Sequence, residues 1–257
     1  PNTASLIVSS GGVSDTCTSI ITVEDTLPPS FTCVNTTVYL DGNGNASVDA
    51  FDLVANLSDN CGSVICACDS SSTVDVDCGD IGTFTQVVTV TDVNGNADSC
   101  TTQITVEDTV APMAVCQDIT LQLDANGQAN LTVSMVDNGS SDNCSLGLSL
   151  DANSFDCSQL GVNTVTLTAI DSSGNSDLCT ASVTIEDQLA PIAVCQDITV
   201  QLSSSGSVVV NAADLDGGSS DNCSFTLSTT NNVFTCDDVA DGPRAITLVV
   251  TNVTGNV

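Results

Sequence analysis

Self-similarity constrains this chain more than any other feature. The segment IITVEDTLPP at 20–29 returns as ITVEDTVAP at 104–112 and as VTIEDQLAP at 183–191. Pro29, Pro112 and Pro191 are spaced by 83 and then 79 residues. Asp59-Asn60-Cys61 returns with the same two spacings as Asp142-Asn143-Cys144 and Asp221-Asn222-Cys223. The cysteine sets Cys33, Cys116, Cys195 and Cys17, Cys100, Cys179 also keep them. Such a period marks a tandem array of small, similar domains. Residues 1–27 read as the C-terminal part of a repeat. Residues 28–110 and 111–189 read as complete repeats, and 190–257 as a repeat lacking its last strand. The sequence starts and stops inside repeats, which suits a stretch of a longer array. The short junctions carry Pro, which favours stiff connections.

Within 111–189 the periodicity is that of strands. Alternation over Val115 to Leu123 predicts strand A, and Asp124-Ala125-Asn126-Gly127 a turn. Strand B is predicted over Ala129 to Val136, C over Leu146 to Leu150, F over Val162 to Ile170 and G over Cys179 to Ile185. A short region around Phe155 supplies D and E. About seven short strands in about 80 residues predict an all-β, Ig-like sandwich with no helix. The 14 Cys among 257 residues fit an oxidising, extracellular setting and domains too small to dispense with staples.

Composition excludes several functions. One Lys or Arg against 32 Asp and Glu leaves a net charge of −31, which repels nucleic acid and anionic membranes alike. No apolar window is long enough to span a bilayer. His is absent, so the usual proton shuttle of hydrolases is missing. Paired carboxylates could serve a glycosidase, but no cleft or sugar-stacking aromatics accompany them. The chain therefore reads as a non-enzyme.

The opening Pro with a Cys a few residues on, the Asp-Asn-Cys loop, the TDxxGN turn and the Cys of the last strand together resemble the hyalin-repeat (HYR) family. They also resemble Ig-like repeats of large bacterial surface adhesins. The resemblance implies an Ig-like fold and extracellular adhesion or scaffolding, without catalysis.

Strand direction predicts disulfides. Strand G carries Cys179 away from its junction, and the next strand A continues the same way, so Cys179 cannot reach Cys195. Strands A and G of one sandwich lie side by side instead, which pairs Cys33 with Cys100 and Cys116 with Cys179. The loop cysteines are expected to pair locally: Cys144 with Cys157, Cys223 with Cys236 and Cys61 with Cys78. Cys66 and Cys68 occur only in the second repeat, and a local rearrangement with Cys61 and Cys78 is expected for them. A Cys₄ zinc site is the alternative, although the C-x₄-C-x-C-x₉-C spacing is unusual for one. Cys17 and Cys195 find no partner in this stretch.

The acids are placed non-randomly. The three Glu of the chain, Glu24, Glu107 and Glu186, each precede an Asp at the end of strand G. The BC and FG loops of the following repeat should lie at that same end. The first expected set is Glu24, Asp25, Asp59 and Asp92, with Asn60 and Asn96 nearby. The second is Glu107, Asp108, Asp142 and Asp171. The third is Glu186, Asp187 and Asp221, with Asn252 where the others have Asp. Oxygen ligands without His select Ca²⁺. Asp and Asn also fill such turns without metal, through Asx bonding. The expectation is a secreted or cell-surface structural repeat protein, a stiff calcium-rigidified stalk or fibre. Calcium at the junctions and copies of itself are its expected partners. The alternative is an adhesive module whose repeats bind a glycan or protein.

Overall fold

The computed structural model describes residues 2–69, 71–240 and 242–257. The chain divides into two compact units, 1–110 and 111–257. In the first, β1 (Asn2–Ser10) and β2 (Val13–Ile21) form an antiparallel hairpin in full register, Leu6 opposite Cys17. Then come β3 (Ser30–Cys33), β4 (Thr36–Tyr39), β5 (Asn45–Asp49), β6 (Val54–Ser58), β7 (Val64–Cys68), β8 (Thr73–Asp77), β9 (Gly82–Asp92) and β10 (Ala97–Glu107). One sheet has the order β4-β10-β9-β7, and β3 with β6 and β5 with β8 make the smaller pairs.

The second unit repeats this plan. Its strands are β11 (Ile119–Gln122), β12 (Gln128–Asn130), β13 (Gly147–Leu150), β14 (Ser154–Asp156), β15 (Gly161–Ile170), β16 (Ser176–Glu186), β17 (Ser207–Val209), β18 (Phe225–Thr229), β19 (Val233–Thr235) and β20 (Leu248–Asn252). A four-stranded sheet runs β11-β16-β15-β13, with β12–β14, β17–β19 and β18–β20 as pairs. The first strand of each complete repeat lies parallel to its last: β4 beside β10 and β11 beside β16. The fold is all-β, built of Ig-like sandwich repeats.

Alternation produces the core. In β15 and β16, Val165, Leu167, Ala181, Val183 and Ile185 point inward and join Leu121, Leu131, Val136 and Phe155. The corresponding centre of 28–110 holds Leu53, Val88, Val90, Ile104 and Val106. In 190–257 the buried cluster shrinks to Val210, Leu215, Leu248 and Val250.

Three expectations are corrected. Helix is present: Val133–Val136, Ala212–Leu215 and Cys236–Ala240 are short helical turns. The span read as strand B ends at Asn130, because one helical turn buries Val136 where further strand would carry it past the core. The regular part of strand A is also shorter than its alternation: Val115 to Asp118 lies outside β11. There Cys116 makes one isolated bridge to Asp137 and the Asp118 carboxylate accepts from Ser182 N at 2.7 Å.

Candidate metal centre and disulfide staples

The acidic site of the first unit is assembled from three turns. The residues after β2 bring Asp25, whose Oδ1 accepts from Leu27 N (3.2 Å) and from the Asn60 amide (2.9 Å). The β6–β7 loop brings Asp59, whose Oδ2 accepts from Cys61 N at 2.9 Å. The β9–β10 turn brings Asp92, whose Oδ1 accepts from Asn94 N (2.9 Å) and Asn96 N (2.8 Å). One oxygen from each of Asp25, Asp59 and Asp92 lies within 4.8 Å of the other two. Asp59 Oδ1 is buried with no hydrogen-bond partner. Such an orphaned buried acceptor is rare and calls for an explanation.

Hydrogen bonding favours the ionised form of two of these acids, Asp25 and Asp92. Hydrogen bonds from Asn60, Leu27 and Asn94 hold Asp25 below its usual range against some burial. Burial works upward on Asp92, yet the Asn96 side chain and the turn's N–H groups outweigh it and leave Asp92 lowered as well. Cys61 beside them is pushed up by burial and by the Asp25 charge.

The corresponding place in the second unit is built differently. Asp187 Oδ1 accepts from Leu189 N and the Asn222 amide, each at 3.1 Å. Its Oδ2 accepts from the Asn252 amide at 3.1 Å. Asn252 Oδ1 is occupied by Asn256 N (2.8 Å) and Thr254 Oγ1 (2.8 Å). Asn252 thus turns a donor toward Asp187 where Asp92 offers an acceptor to Asp25. Asp221 still leaves a buried, unpartnered Oδ1.

Glu24, Glu107 and Glu186 were expected among the ligands. The Glu186 carboxylate instead accepts from Gln122 (2.7 Å) and Gln188 (3.0 Å), along the sheet edge. Glu24 is exposed and lies outside the three-carboxylate group around Asp25. Glu107 closes its sheet through its backbone carbonyl, which accepts from Leu40 N at 3.0 Å. The remaining expected ligands hold turns: Asp108 accepts from Val110 N (3.1 Å), Asp142 from Cys144 N (3.0 Å) and Asp171 from Asn175 N (2.8 Å).

Cys33–Cys100 and Cys116–Cys179 are disulfides, with Cα separations of 6.0 and 5.8 Å, and join first and last strands. The local loop pairs are corrected. Cys157 is bonded to Cys223, not to Cys144. Cys223 is therefore not bonded to Cys236, nor Cys61 to Cys78: Cys61 and Cys236 are free thiols, while Cys78 and Cys144 are disulfide-bonded. The physical reason is the length of the sandwich. Cys157 follows β14, which pairs with β12 next to the Asp124–Gln128 turn, and its Sγ lies 3.8 Å from Gly127 O. The Asp142-Asn143-Cys144 loop belongs to the opposite end, where Met113 bridges Ser141. The Asp221-Asn222-Cys223 loop reaches the Cys157 end, and the Asn222 amide donates to Asp124 O at 3.1 Å. Gly127 makes this approach possible, for a Cβ there would stand 2.6 Å from Asn222 O.

Cys66 and Cys68 were expected in a rearranged disulfide. Both are free and buried, facing inward from β7, and burial raises both thiols. They behave as small apolar side chains of the core. Among the aromatics Tyr39 and Phe51 are exposed, whereas Phe155 is buried.

No family model matches the chain. A curated relative, hyalin of Strongylocentrotus purpuratus, is 32% identical over 200 residues, 74% of this chain and 16% of hyalin. The chain thus spans about one sixth of that relative's length. Among solved structures, protocadherin gammaB7 EC3-6 is 17% identical over 85% of this chain and 68% of its own, at a TM-score of 0.31. Titin domains I67-I69 are 13% identical over 80% of each chain, also at 0.31. The strand pairing of the chain itself and its likeness to hyalin over three quarters of its length support a hyalin-repeat, Ig-like family for this protein.

Proposed function

We propose that this chain is a stretch of an extracellular, non-enzymatic array of about 80-residue repeats, divided at 27/28, 110/111 and 189/190, whose work is structural. Calcium held where one repeat begins stiffens it, and disulfides staple it. The observation that carries the reading is the group Asp25, Asp59 and Asp92, with three carboxylate oxygens within 4.8 Å and Asp59 Oδ1 buried without a partner. Three carboxylates this close repel one another. A hard divalent cation converts that repulsion into attraction, and all-oxygen donors fit Ca²⁺. The Asp187 site, with one acid exchanged for an amide, binds more weakly.

The likeness to hyalin and the staples agree with an extracellular location. Described residues contain no helix long and apolar enough to cross a membrane. The decisive experiment is calorimetric titration of chelator-treated protein with Ca²⁺, alongside small-angle scattering. Stoichiometric binding with a decrease in flexibility is expected. Absence of binding at millimolar Ca²⁺ would reduce the acidic loops to turn chemistry and sink the stiffening mechanism.

A further inference from the structure

The acids of the two complete repeats are not spread evenly over their sheets. In 111–189, β15 and β16 bury Val165, Leu167, Ala169, Ala181, Val183 and Ile185. The residues between these point the other way, out of the sandwich. On β15 they run from Val162 to Ile170 through three Thr, and on β16 from Leu178 to Thr184 through Thr180 and Ser182. Thr120 of β11 lies opposite Thr184, and Ser149 of β13 opposite Thr168. None of these is charged, in a chain of net charge −31. The acids at the margins of the face are already engaged. Asp118 accepts from Ser182 N at 2.7 Å, Asp151 from Thr166 N at 2.9 Å and Glu186 from the Gln122 amide at 2.7 Å. The outward side of 28–110 follows the same pattern: Thr83, Thr85 and Val87 of β9 lie opposite Thr105, Gln103 and Thr101 of β10. There the acids gather on the β5–β8 pair instead, where Asp75 and Asp77 are exposed.

Large aliphatic side chains collect on the same face. Val162, Leu178 and Ile170 are 73, 60 and 45% exposed. In 28–110, Ile65 and Val87 are 65 and 43% exposed on the outward side of β7 and β9. Aliphatics gathered on an uncharged, exposed sheet face mark a contact surface. The chemistry of the face specifies what covers it. A hydroxyl both donates and accepts, so a Thr face can satisfy a copy of itself, whereas carboxylates can only accept. Thr83 Oγ1 and Thr105 Oγ1 already pair across strands at 3.0 Å. Two copies of a chain with net charge −31 can meet on this side without setting carboxylate against carboxylate. Two long strands flanked by two short ones cover roughly 450–600 Å², so a pair of such faces buries about 1,000 Å², the lower limit for a specific interface.

We propose that the outward Thr face of each complete repeat, on β11-β16-β15-β13 in 111–189 and on β4-β10-β9-β7 in 28–110, packs against the same face of a second copy of this chain about a two-fold axis. The two sheets lie about 10 Å apart with their strands within about 30° of each other, as in a sandwich. The contact is isologous, so every aliphatic and hydroxyl meets the same kind of surface on the partner. Aliphatic burial and hydroxyl pairs hold it, and no ion pair takes part. The net charge of the two copies opposes their approach at long range. Salt screens that repulsion and leaves the contact itself untouched, so salt strengthens the association. An interface built on ion pairs would respond with the opposite sign.

The test is sedimentation equilibrium of the whole chain, with its exposed thiols blocked by iodoacetamide so that no covalent multimer intrudes. EDTA is present throughout, so calcium binding has no part in the readout. Raising NaCl from about 0.05 to 0.5 M should tighten self-association by about fivefold or more. Thr101 and Thr180 are counterparts, one in the middle of each face, and both are exposed in the single copy. Thr101→Asp with Thr180→Asp should weaken the association by about tenfold or more, because each copy then buries an unpaired charge. Asn43→Asp with Asn126→Asp adds the same charge in exposed turns off the face and should leave it unchanged. Unchanged strand content, and unchanged Cys33–Cys100 and Cys116–Cys179, confirm that each variant folds. A chain that stays monomeric at every salt concentration overturns the proposal and leaves the face to an uncharged polymer such as a polysaccharide. Association that weakens with salt overturns it too, as does association that both pairs of substitutions leave alike.

Discussion

The Asp25 and Asp187 sites share one construction, and the exchange of Asp92 for Asn252 reverses a charge relation between them. At the first, Asp92 presents a carboxylate to Asp25 in a set of three acids within 4.8 Å. At the second, Asn252 presents an amide N–H₂ that donates to Asp187 at 3.1 Å, and donates again to Leu189 O at 3.0 Å. An amide can be acceptor on one side and donor on the other, whereas a carboxylate can only accept. The first arrangement sets three acceptors against one another. The second closes by hydrogen bonding, and Thr254 Oγ1 and the Asn256 amide add two more donors to Asp187 O, each at 3.0 Å. In the proposed reading one repeat start is held by an ion and the other by its own amides and a covalent bond.

The largest test of that comparison removes the covalent bond. The Cys157–Cys223 disulfide closes a 66-residue separation, for which chain entropy gives about 4 kcal/mol. Replacing both cysteines with Ala should lower the unfolding temperature of the 190–257 transition, read by calorimetry, and leave that of 28–110 in place. Equal shifts in both would show that the Asp187 site does not depend on its staple. Next in size is the exchange of acid for amide. Asp92→Asn should weaken Ca²⁺ binding at the Asp25 site about 100-fold, as expected for one fewer charge on a divalent ion. Titration calorimetry reads this directly, and retained affinity removes Asp92 from the ligand set.

The reciprocal change, Asn252→Asp, puts three acids at the second site. It should destabilise the chelated protein by about 1–3 kcal/mol, with recovery on adding Ca²⁺. Loss without recovery would mean that a carboxylate at position 252 cannot join Asp187 and Asp221 in holding the ion. The smallest effect is pH. Asp25 and Asp92 have folded pKa values below the ordinary 3.8. Their contribution is therefore present above that value and lost as pH falls through the lower folded values. Acid titration of the 28–110 transition should steepen in that window in wild type and flatten in Asp25→Asn. An unchanged profile would place the acid sensitivity elsewhere.

Much of this was legible in the sequence, for identifiable reasons. Repetition exposes structure because equivalent residues do equivalent work, so Asp25, Asp59 and Asp92 could be placed together from loop positions alone. The adjacency of first and last strands follows from strand direction, hence Cys33 with Cys100. The staple from Cys157 to Cys223 was not legible, because nothing in the spacing tells a local loop pair from one that reaches the next repeat. The signal that could have found it is Gly127, whose place in a turn at the far end of the sandwich matches the approach of Asn222. For Glu24, Glu107 and Glu186, recurrence marks a constrained position without saying what constrains it. At Glu186 the constraint is the edge contact with Gln122 and Gln188. The helical turn at Val133–Val136 hid inside an apolar run that fits either period.

The Cys116–Cys179 bond governs how the repeat responds to tension. Cys116 precedes β11, so a pull along the chain crosses from Cys116 through the disulfide to Cys179 and leaves through β16. The stretch between the two cysteines, a separation of 63 residues that includes β11, carries no load. While the bond is intact, that stretch cannot be drawn out. At about 3.3–3.6 Å per extended residue, the bond withholds roughly 200 Å of contour from each such repeat. A stretched molecule would lengthen only by its junction segments, behaving as a leash with fixed reach until a reductant or a thiol releases the stored length.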